Sequence, residues 1–255
     1  MAEGRAARPV IATATLAVLM MLAANLGFAV VDTSTKWLLG AGYAALQLAF
    51  LRYAVQFAVT CGLLLQHGTR GLRRARVHLP FVVMRGSLLV VSTIFNFIAL
   101  QYLSLTVTSA IMFSAPIIVC ALSGPILGER VGRFRWLAVA LGFAGVLVVI
   151  RPFGAALNGA AGLVVIAATG LALYSIMTRK LAHDVDPLAM QFVLGLTGTL
   201  VLAPFAWAFW VKPDTLVHML LMAGLGVFAW GGHELLIRAL GCSQRTILCP
   251  MPMAI

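Results

Sequence analysis

Charged side chains interrupt two apolar segments near the start of the chain. Asp32, Lys36 and Arg52 all lie within LGFAVVDTSTKWLLGAGYAALQLAFLRY, residues 26–53. An ionisable side chain inside a bilayer costs about 3 kcal/mol or more unless it is paired or hydrated, so such residues are candidates for a functional site. If the first helix leaves the bilayer near Leu39 and the second enters it near Ala44, a rise of about 1.5 Å per residue places Asp32 about 10 Å and Arg52 about 12 Å below the same membrane surface. We therefore predict that they pair, either at a functional site or as a structural ion pair.

Lys36 adds a second cation near the same carboxylate. It follows Asp32 by one helical turn, so both side chains lie on one helix face. One carboxylate could then hold two cations. Alternatively, the long Lys36 side chain reaches the membrane interface and does not pair with Asp32.

The composition excludes a soluble domain. Of the 255 residues, 62% are hydrophobic and only 10% are charged, and the mean hydropathy is +1.03. The net charge of +11 would suggest nucleic-acid binding in a soluble protein, but here the basic residues lie in short loops between apolar runs. We therefore predict an all-α polytopic membrane protein that binds no nucleic acid.

Motifs for ATP, metal or acyl chemistry are missing from the sequence. It contains no phosphate-binding P-loop, no HExxH and no GxSxG-type nucleophile. The four cysteines form no CxxC pattern and no Cys/His ligand spacing. We expect no cofactor, no bound metal and no catalytic residue.

Eight apolar runs are long enough to cross a bilayer, which takes about 20 mainly apolar residues in a helix. Arg5 and Arg8 precede the first run, as they would in a signal peptide. We favour a spanning helix because this run is too long for a signal peptide, contains Asp32 and is followed at once by another span. The predicted spans are residues 10–39, 44–65, 79–100, 105–127, 134–150, 162–177, 188–210 and 216–237.

Basic residues predict the orientation of these spans. Thirteen of the 18 lysine and arginine residues fall on the side of the N-terminus, three fall on the other side, and two lie within spans. Cytoplasmic loops are enriched in Lys and Arg. The bias therefore predicts a multi-pass protein of the cell inner membrane with a cytoplasmic N-terminus.

Further candidate residues occur in the later spans. Asn96 and Arg85 lie in the third span, where Arg85 is about 9 Å from the inner surface and either faces the interior or reaches the interface. His233 and Glu234 are adjacent in the eighth span. They are therefore about 100° apart on a helix and do not both face one site squarely. Tyr174 and Trp230 also lie within spans.

Two features are predicted to shape the fourth span. Pro116 breaks the helix and leaves a backbone carbonyl unpaired, which must face protein or a water-filled cavity. Gly128, Glu129 and Arg130 form a solvated, locally paired helix end that closes the span.

Weak internal repetition divides the chain into two halves. The first and second spans align with the sixth and seventh at an offset of 144 residues, and the third aligns with the eighth at an offset of 140. The matched pairs include Lys36 with Lys180, Gln47 with Gln191 and Gly86 with Gly226. Because a five-helix unit has an odd number of spans, its second copy enters the membrane from the opposite side, which predicts an inverted repeat. The predicted units are residues 16–151 and a truncated copy at 160–255, with part of a ninth helix.

The chain resembles EamA-type members of the drug/metabolite transporter superfamily over residues 16–240. It is also similar to the branch assigned to riboflavin uptake, S-adenosylmethionine uptake and opine-metallophore export. The resemblance implies ten helices in two repeats, of which this chain lacks the last part. It rests on an ordered set: Asp32 with Lys36, Arg52, Arg85-Gly86, QYLSLTVTSAIMFSAP ending at Pro116, Gly128-Glu129-Arg130, Arg151-Pro152 and Gly232-His233.

The resemblance and the repeat predict a secondary transporter of a small polar or amphipathic metabolite, with export as the expected direction. The substrate would bind near the membrane midplane, beside Asp32, Arg52 and Asn96, with Tyr174 and Trp230 as apolar walls. Further expected partners are the lipid bilayer, a coupling proton or other ion, and a second copy of the chain. The secondary candidates at the site are Lys36, Arg85, His233 and Glu234.

Two alternatives remain open from the sequence. A second repeat without its last helices would not complete the cavity wall, so the chain by itself is expected not to transport. A polytopic membrane enzyme that uses His233 and Glu234 is the weaker rival.

Overall fold

The computed structural model describes residues 3–68, 70–128, 132–150, 159–182 and 184–248; for residues 3–14, residues 241–248 and a few positions in the other helices it describes only the backbone. All regular structure in these ranges is helical, as the composition predicted. Within the described residues there are ten helices: α1 (Glu3–Gly40), α2 (Ala45–His67), α3 (Arg70–Val77), α4 (Leu79–Tyr102), α5 (Leu105–Met112), α6 (Ala115–Leu127), α7 (Arg133–Ile150), α8 (Ala160–Leu181), α9 (Pro187–Ala208) and α10 (Leu216–Leu248).

Seven segments in the described residues are long and apolar enough to cross a membrane. They match seven of the eight predicted spans. The predicted span 134–150 corresponds to α7, in which the apolar stretch is the shorter Trp136–Gly145. The count of eight spans is therefore not confirmed. The seven segments are Thr15–Gly40, Ala45–Gln66, Leu79–Tyr102, Leu105–Ile126, Ala160–Leu181, Pro187–Ala208 and Leu216–Leu240.

Two local features differ from the simplest interpretation of the sequence. The basic segment after α2 is not only a loop, because it contains the short helix α3. The last predicted span does not stop at residue 237, since α10 continues to Leu248. Both segments lack an internal proline, which would have ended a helix earlier.

The fourth span is broken where Pro116 predicted. Helix α5 ends at Met112 and α6 begins at Ala115, with Pro116 in its first turn. The proline nitrogen has no hydrogen to donate to the Met112 carbonyl four residues earlier. Gly128 then ends α6 with a left-handed backbone (φ +70°), as expected for a helix C-terminus. Glu129, Arg130 and the Arg151-Pro152 pair lie outside the described residues.

The core forms where six long helices pack in matched pairs. Helix α1 lies against α10, α2 against α9, and α4 against α8. Glycines allow the closest of these approaches. A Cβ added at Gly198 on α9 would collide with the Tyr53 ring on α2, and one added at Gly232 on α10 would lie 2.7 Å from the Phe28 ring on α1. Small residues bring helix backbones together in this way inside membranes.

Candidate functional site

Arg52 stands at the centre of a buried polar network in the helix core. Its side chain extends from α2, and the residue is only 5% exposed. Nη1 donates a hydrogen bond to Thr93 Oγ1 on α4 (2.7 Å), and Nη2 donates to His233 Nε2 on α10 (2.9 Å). Tyr53 OH also contacts Thr93 Oγ1 (2.8 Å). The guanidinium therefore links three helices, while its Nε is buried without a partner.

The contacts of His233 fix its tautomer. A guanidinium N–H can only donate, so His233 Nε2 must accept from Arg52 and carries no proton. The proton of the neutral ring then lies on Nδ1, which donates to Tyr174 OH at 3.1 Å. Two further aromatic contacts hold the ring in place, with Phe28 at 4.8 Å and Tyr174 at 5.4 Å between centroids.

Arg85 completes the network from the opposite side. It is fully buried, with 0% exposure, so it does not reach the membrane interface. Nη2 donates to Tyr174 OH (2.7 Å) and Nε donates to Thr178 Oγ1 (2.7 Å) on α8. Nη1 is 3.5 Å from the Met190 carbonyl on α9, and the guanidinium carbon lies 4.4 Å from the Tyr174 ring centre. Arg52 and Arg85 are thus joined through His233 and Tyr174.

Every hydrogen-bond partner of these two guanidiniums is neutral. Among the described residues, no carboxylate oxygen lies within 4.0 Å of Arg52 or Arg85. A buried charge normally requires a paired charge or full hydrogen bonding. Neither guanidinium therefore has its charge neutralised by a direct contact with a carboxylate.

Asp32 lies beside the network but does not pair directly with Arg52. Its Oδ1 accepts a hydrogen bond from Asn96 Nδ2 at 3.1 Å. The charge of Arg52 acts on this carboxylate through space, yet the predicted direct ion pair is absent from the described residues. The direct pair was expected because both residues lie at the same depth, but depth does not determine how α1 and α2 are rotated about their axes. Asn96 Oδ1 is itself buried without a partner.

Lys36 has a role that the sequence did not predict. Its Nζ donates to the carbonyl oxygens of Leu100 (2.6 Å) and Leu103 (2.8 Å), at the C-terminal end of α4. Those carbonyls lack helical partners and carry the negative end of the helix dipole. Lys36 therefore caps α4, and of the two alternatives the structure does not show the one in which Asp32 holds Lys36.

A second series of buried hydrogen bonds lies beside the Arg52 network, one turn further along α2. Gln56 Nε2 donates to Gln191 Oε1 (2.8 Å), and Gln191 Nε2 donates to the Trp230 carbonyl (3.0 Å). Trp230 is half-buried, and its indole Nε1 is buried without a partner. The ring predicted as an apolar wall thus also offers a free N–H donor to the interior.

Glu234 faces away from His233, as the angle between neighbouring helical residues predicted. Its Oε1 accepts from Arg238 Nε at 2.8 Å, one turn along α10, and the Arg238 side chain is 60% exposed. Glu234 itself is only 9% exposed, and its Oε2 is buried without a partner.

The sequence did not identify the hydroxyl groups of the network. The two arginines or their partners are held by hydroxyl groups, those of Thr93, Thr178 and Tyr53. Single hydroxyl side chains are common in membrane helices, where they often donate a hydrogen bond to a backbone carbonyl of their own helix. Thr178 does so while accepting from Arg85, because its Oγ1 lies 2.7 Å from the Tyr174 carbonyl. Only a comparison of helix faces across the bundle would have revealed them.

These features define a class of protein: a multi-pass, all-helical membrane protein with a hydrogen-bonded polar network inside an otherwise apolar core. The network joins the spanning helices in the part of the chain that the structure describes. Ionisable groups at membrane depth generally mark a path for a polar solute or ion.

The chain belongs to the EamA-like transporter family, within the drug/metabolite transporter superfamily; the family model matches residues 15–151. The riboflavin transporter of Vibrio cholerae is 28% identical over 238 residues, which cover 92% of this chain and 80% of that protein. The pseudopaline exporter CntI of Pseudomonas aeruginosa is 25% identical over 232 residues, 91% of this chain and 80% of that protein.

The S-adenosylmethionine uptake transporter of Rickettsia prowazekii is 26% identical over 185 residues. That alignment covers 72% of this chain and 62% of the transporter's length. A solved crystal structure superimposes with a TM-score of 0.68 at 19% identity and covers 92% of this chain and 83% of the other. At this identity the superposition supports the fold alone.

Proposed function

We propose that this chain is a secondary transporter of a small metabolite, working by alternating access between two inverted halves in the cell inner membrane. The family and the transporter names of its relatives support transport as the activity. The proposal further assigns residues 16–151 and 160–255 to the two halves. The N-terminus is cytoplasmic, and export is the expected direction.

The observation that carries the proposal is the pair of buried guanidiniums that no carboxylate contacts among the described residues. Arg52 and Arg85 are bonded only to neutral groups, and Arg52 Nε has no partner. An anionic group of the substrate, such as a carboxylate, would supply the missing counter-charge. Asn96 follows Thr93 by three residues on α4, so its free oxygen and the Asp32 carboxylate lie about one turn from Arg52 and can accept from the rest of the substrate.

The packing pattern supports an inverted repeat. If α1, α2 and α4 correspond to α8, α9 and α10, the contact of α1 with α10 is equivalent to that of α8 with α4. The contact of α2 with α10 is likewise equivalent to that of α9 with α4. Thr93 and His233 are 140 residues apart, the repeat offset of these helices, and Arg52 donates to both. One guanidinium therefore contacts equivalent positions of the two halves.

Transport itself is tested with the purified chain in proteoliposomes. Labelled S-adenosylmethionine, which carries a carboxylate, and labelled riboflavin, which carries none, serve as probes. We expect uptake or release of the carboxylate-bearing probe, unaltered, and a loss of at least tenfold in Arg52→Gln. Riboflavin flux that Arg52→Gln leaves unchanged would contradict the proposal that Arg52 binds an anionic group of the substrate. A chemically changed product would instead indicate an enzyme. A pH gradient imposed across the vesicles tests whether a proton is coupled, with Asp32→Asn as the variant.

Arg85→Met separates a transport role from a structural one. Without Arg85, Tyr174 OH keeps its hydrogen bond with His233 Nδ1, and Thr178 Oγ1 keeps its hydrogen bond to the Tyr174 carbonyl. Neither buried hydroxyl is therefore left without a partner. Replacing a buried charge with a well-packed apolar side chain is often neutral or stabilising. We therefore expect an unchanged or higher thermal unfolding midpoint together with lost flux. A lower midpoint would assign Arg85 to stability instead.

A further inference from the structure

An apolar groove of about 570 Å³ opens on the outside of the bundle, away from the polar network. Helices α4 and α9 form its walls with Val83, Leu196 and Leu200, and helix α3 closes one end with Leu72 and Arg76. Leu200 is 65% exposed and Val83 is 37% exposed, so the groove opens outward from the bundle. In a membrane these surfaces meet acyl chains.

The closed end of the groove is formed by a helix with a strongly basic sequence. Helix α3 has the sequence RGLRRARV, with four arginines and no acidic residue. Leu72 and Ala75 pack against the bundle, whereas Arg76 is exposed and lines the groove. Arg76 has no hydrogen-bond or ion-pair partner within the described part of the chain. Its guanidinium is available to an external anion.

We propose that this groove binds one anionic phospholipid, with an acyl chain along α4 and α9 and the headgroup phosphate at Arg76. The chemistry of the groove matches the two parts of such a lipid: apolar along its length and cationic at its end. A second copy of the chain would bring the same basic α3 against itself, which disfavours that occupant electrostatically. The site is independent of the transport site, because none of its lining residues belongs to the Arg52–His233–Tyr174–Arg85 network.

The test measures lipid binding to the purified chain in detergent by native mass spectrometry. Phosphatidylglycerol and phosphatidylcholine with the same acyl chains are the probes. We expect phosphatidylglycerol to bind more tightly, and Arg76→Gln to weaken it about fivefold, the usual effect of one basic residue near an anionic lipid headgroup. Val83→Trp and Leu200→Trp, which fill the groove, should each abolish retention of the bound lipid.

Matched variants control for charge and bulk. Lys180→Gln removes an exposed cation near Phe81 that does not line the groove, and Val91→Trp adds bulk to an exposed position of α4 away from it. Both should bind within twofold of the parent chain. An equal loss in Arg76→Gln and Lys180→Gln, or lipid retention unaffected by both groove-filling variants, would overturn the proposal. Equal binding of phosphatidylglycerol and phosphatidylcholine would also overturn it. A dimer that forms without lipid and is disrupted by Leu200→Trp would instead assign the groove to a second copy of the chain.

Discussion

His233 accepts a hydrogen bond from one arginine and, through Tyr174, is connected to another. A second proton on this ring would point an N–H at the Arg52 N–H, since both groups could only donate. The network therefore holds together only while His233 is neutral and its proton is on Nδ1. Any movement that separates α2 from α10 releases this constraint.

This arrangement predicts a nuclear magnetic resonance signature. In protein labelled with ¹⁵N-histidine, we expect the Nε2 resonance of His233 to be that of an unprotonated nitrogen and the Nδ1 resonance that of an N–H. Arg52→Gln should allow both tautomers, because glutamine can donate or accept at that position. His218, whose Nδ1 lies 2.9 Å from Tyr43 OH outside the network, is the internal control and should not change. A protonated Nε2 in the parent chain would contradict the structure.

At this scale the sequence identified the charges but not their partners. Asp32, Arg52 and Arg85 were conspicuous because charge is expensive at membrane depth. Their partners depend on the rotation of each helix about its axis, which burial inside a bilayer does not fix from one sequence. Tyr174 was predicted as an apolar wall, although its hydroxyl proves to be the junction between His233 and Arg85.

Among the elements, the contact of α9 with α2 depends on Gly198. A Cβ at this position would collide with the Tyr53 ring, which is fully buried and bonded to Thr93. Overpacking of this kind costs about 1–3 kcal/mol. We expect Gly198→Ala to lower the thermal unfolding midpoint in detergent and to reduce flux, because Tyr53 and Thr93 support Arg52.

Gly142→Ala on α7 is the matched control, since a Cβ there meets nothing within 4 Å. Alanine is favoured over glycine in a helix by up to about 1 kcal/mol. The midpoint of this variant should stay the same or rise. If both alanine variants were equally destabilised, the close approach of α9 and α2 would not be the cause.

Lys36 predicts a local effect at the end of α4. Lys36→Met removes the donor to the Leu100 and Leu103 carbonyls, and the loss of hydrogen bonds from a charged group costs about 1.5–3 kcal/mol. We expect faster amide hydrogen exchange over residues 103–108 with little change elsewhere. Lys180→Met, at an exposed position, should leave this segment unchanged. Unaltered amide hydrogen exchange in Lys36→Met would contradict the proposed capping role of Lys36.

The positions of the spanning helices were largely predictable, because a bilayer demands long apolar runs and the chain provides them between short polar segments. Even the break at Pro116 followed from the chemistry of one residue. Helix α3 was not predicted, since four arginines in eight residues give no apolar run. It forms because Leu72 and Ala75, three residues apart, pack one face against α9.

For the whole molecule, the basic bias predicts which loops face the cytoplasm. In a chain whose four cysteines are replaced by serine or alanine, we expect Lys212→Cys to react with a membrane-impermeant maleimide in intact spheroplasts. Lys180→Cys should react only after the membrane is permeabilised. Both residues are exposed, so accessibility reports the side of the membrane. The reverse labelling pattern would invert the proposed orientation.

Both core arginines fall in the first of the two proposed halves. Arg52 and Arg85 lie on α2 and α4, while the positions opposite them at the repeat offsets are Leu196 and Leu225. Two identical halves would place four guanidiniums in this core and replace His233, the acceptor of Arg52, by threonine. Like charges repel strongly where the dielectric constant is low. If the two proposed halves arose by duplication of a unit that carried both arginines, one copy would have had to lose its charge before the copies could pack around each other.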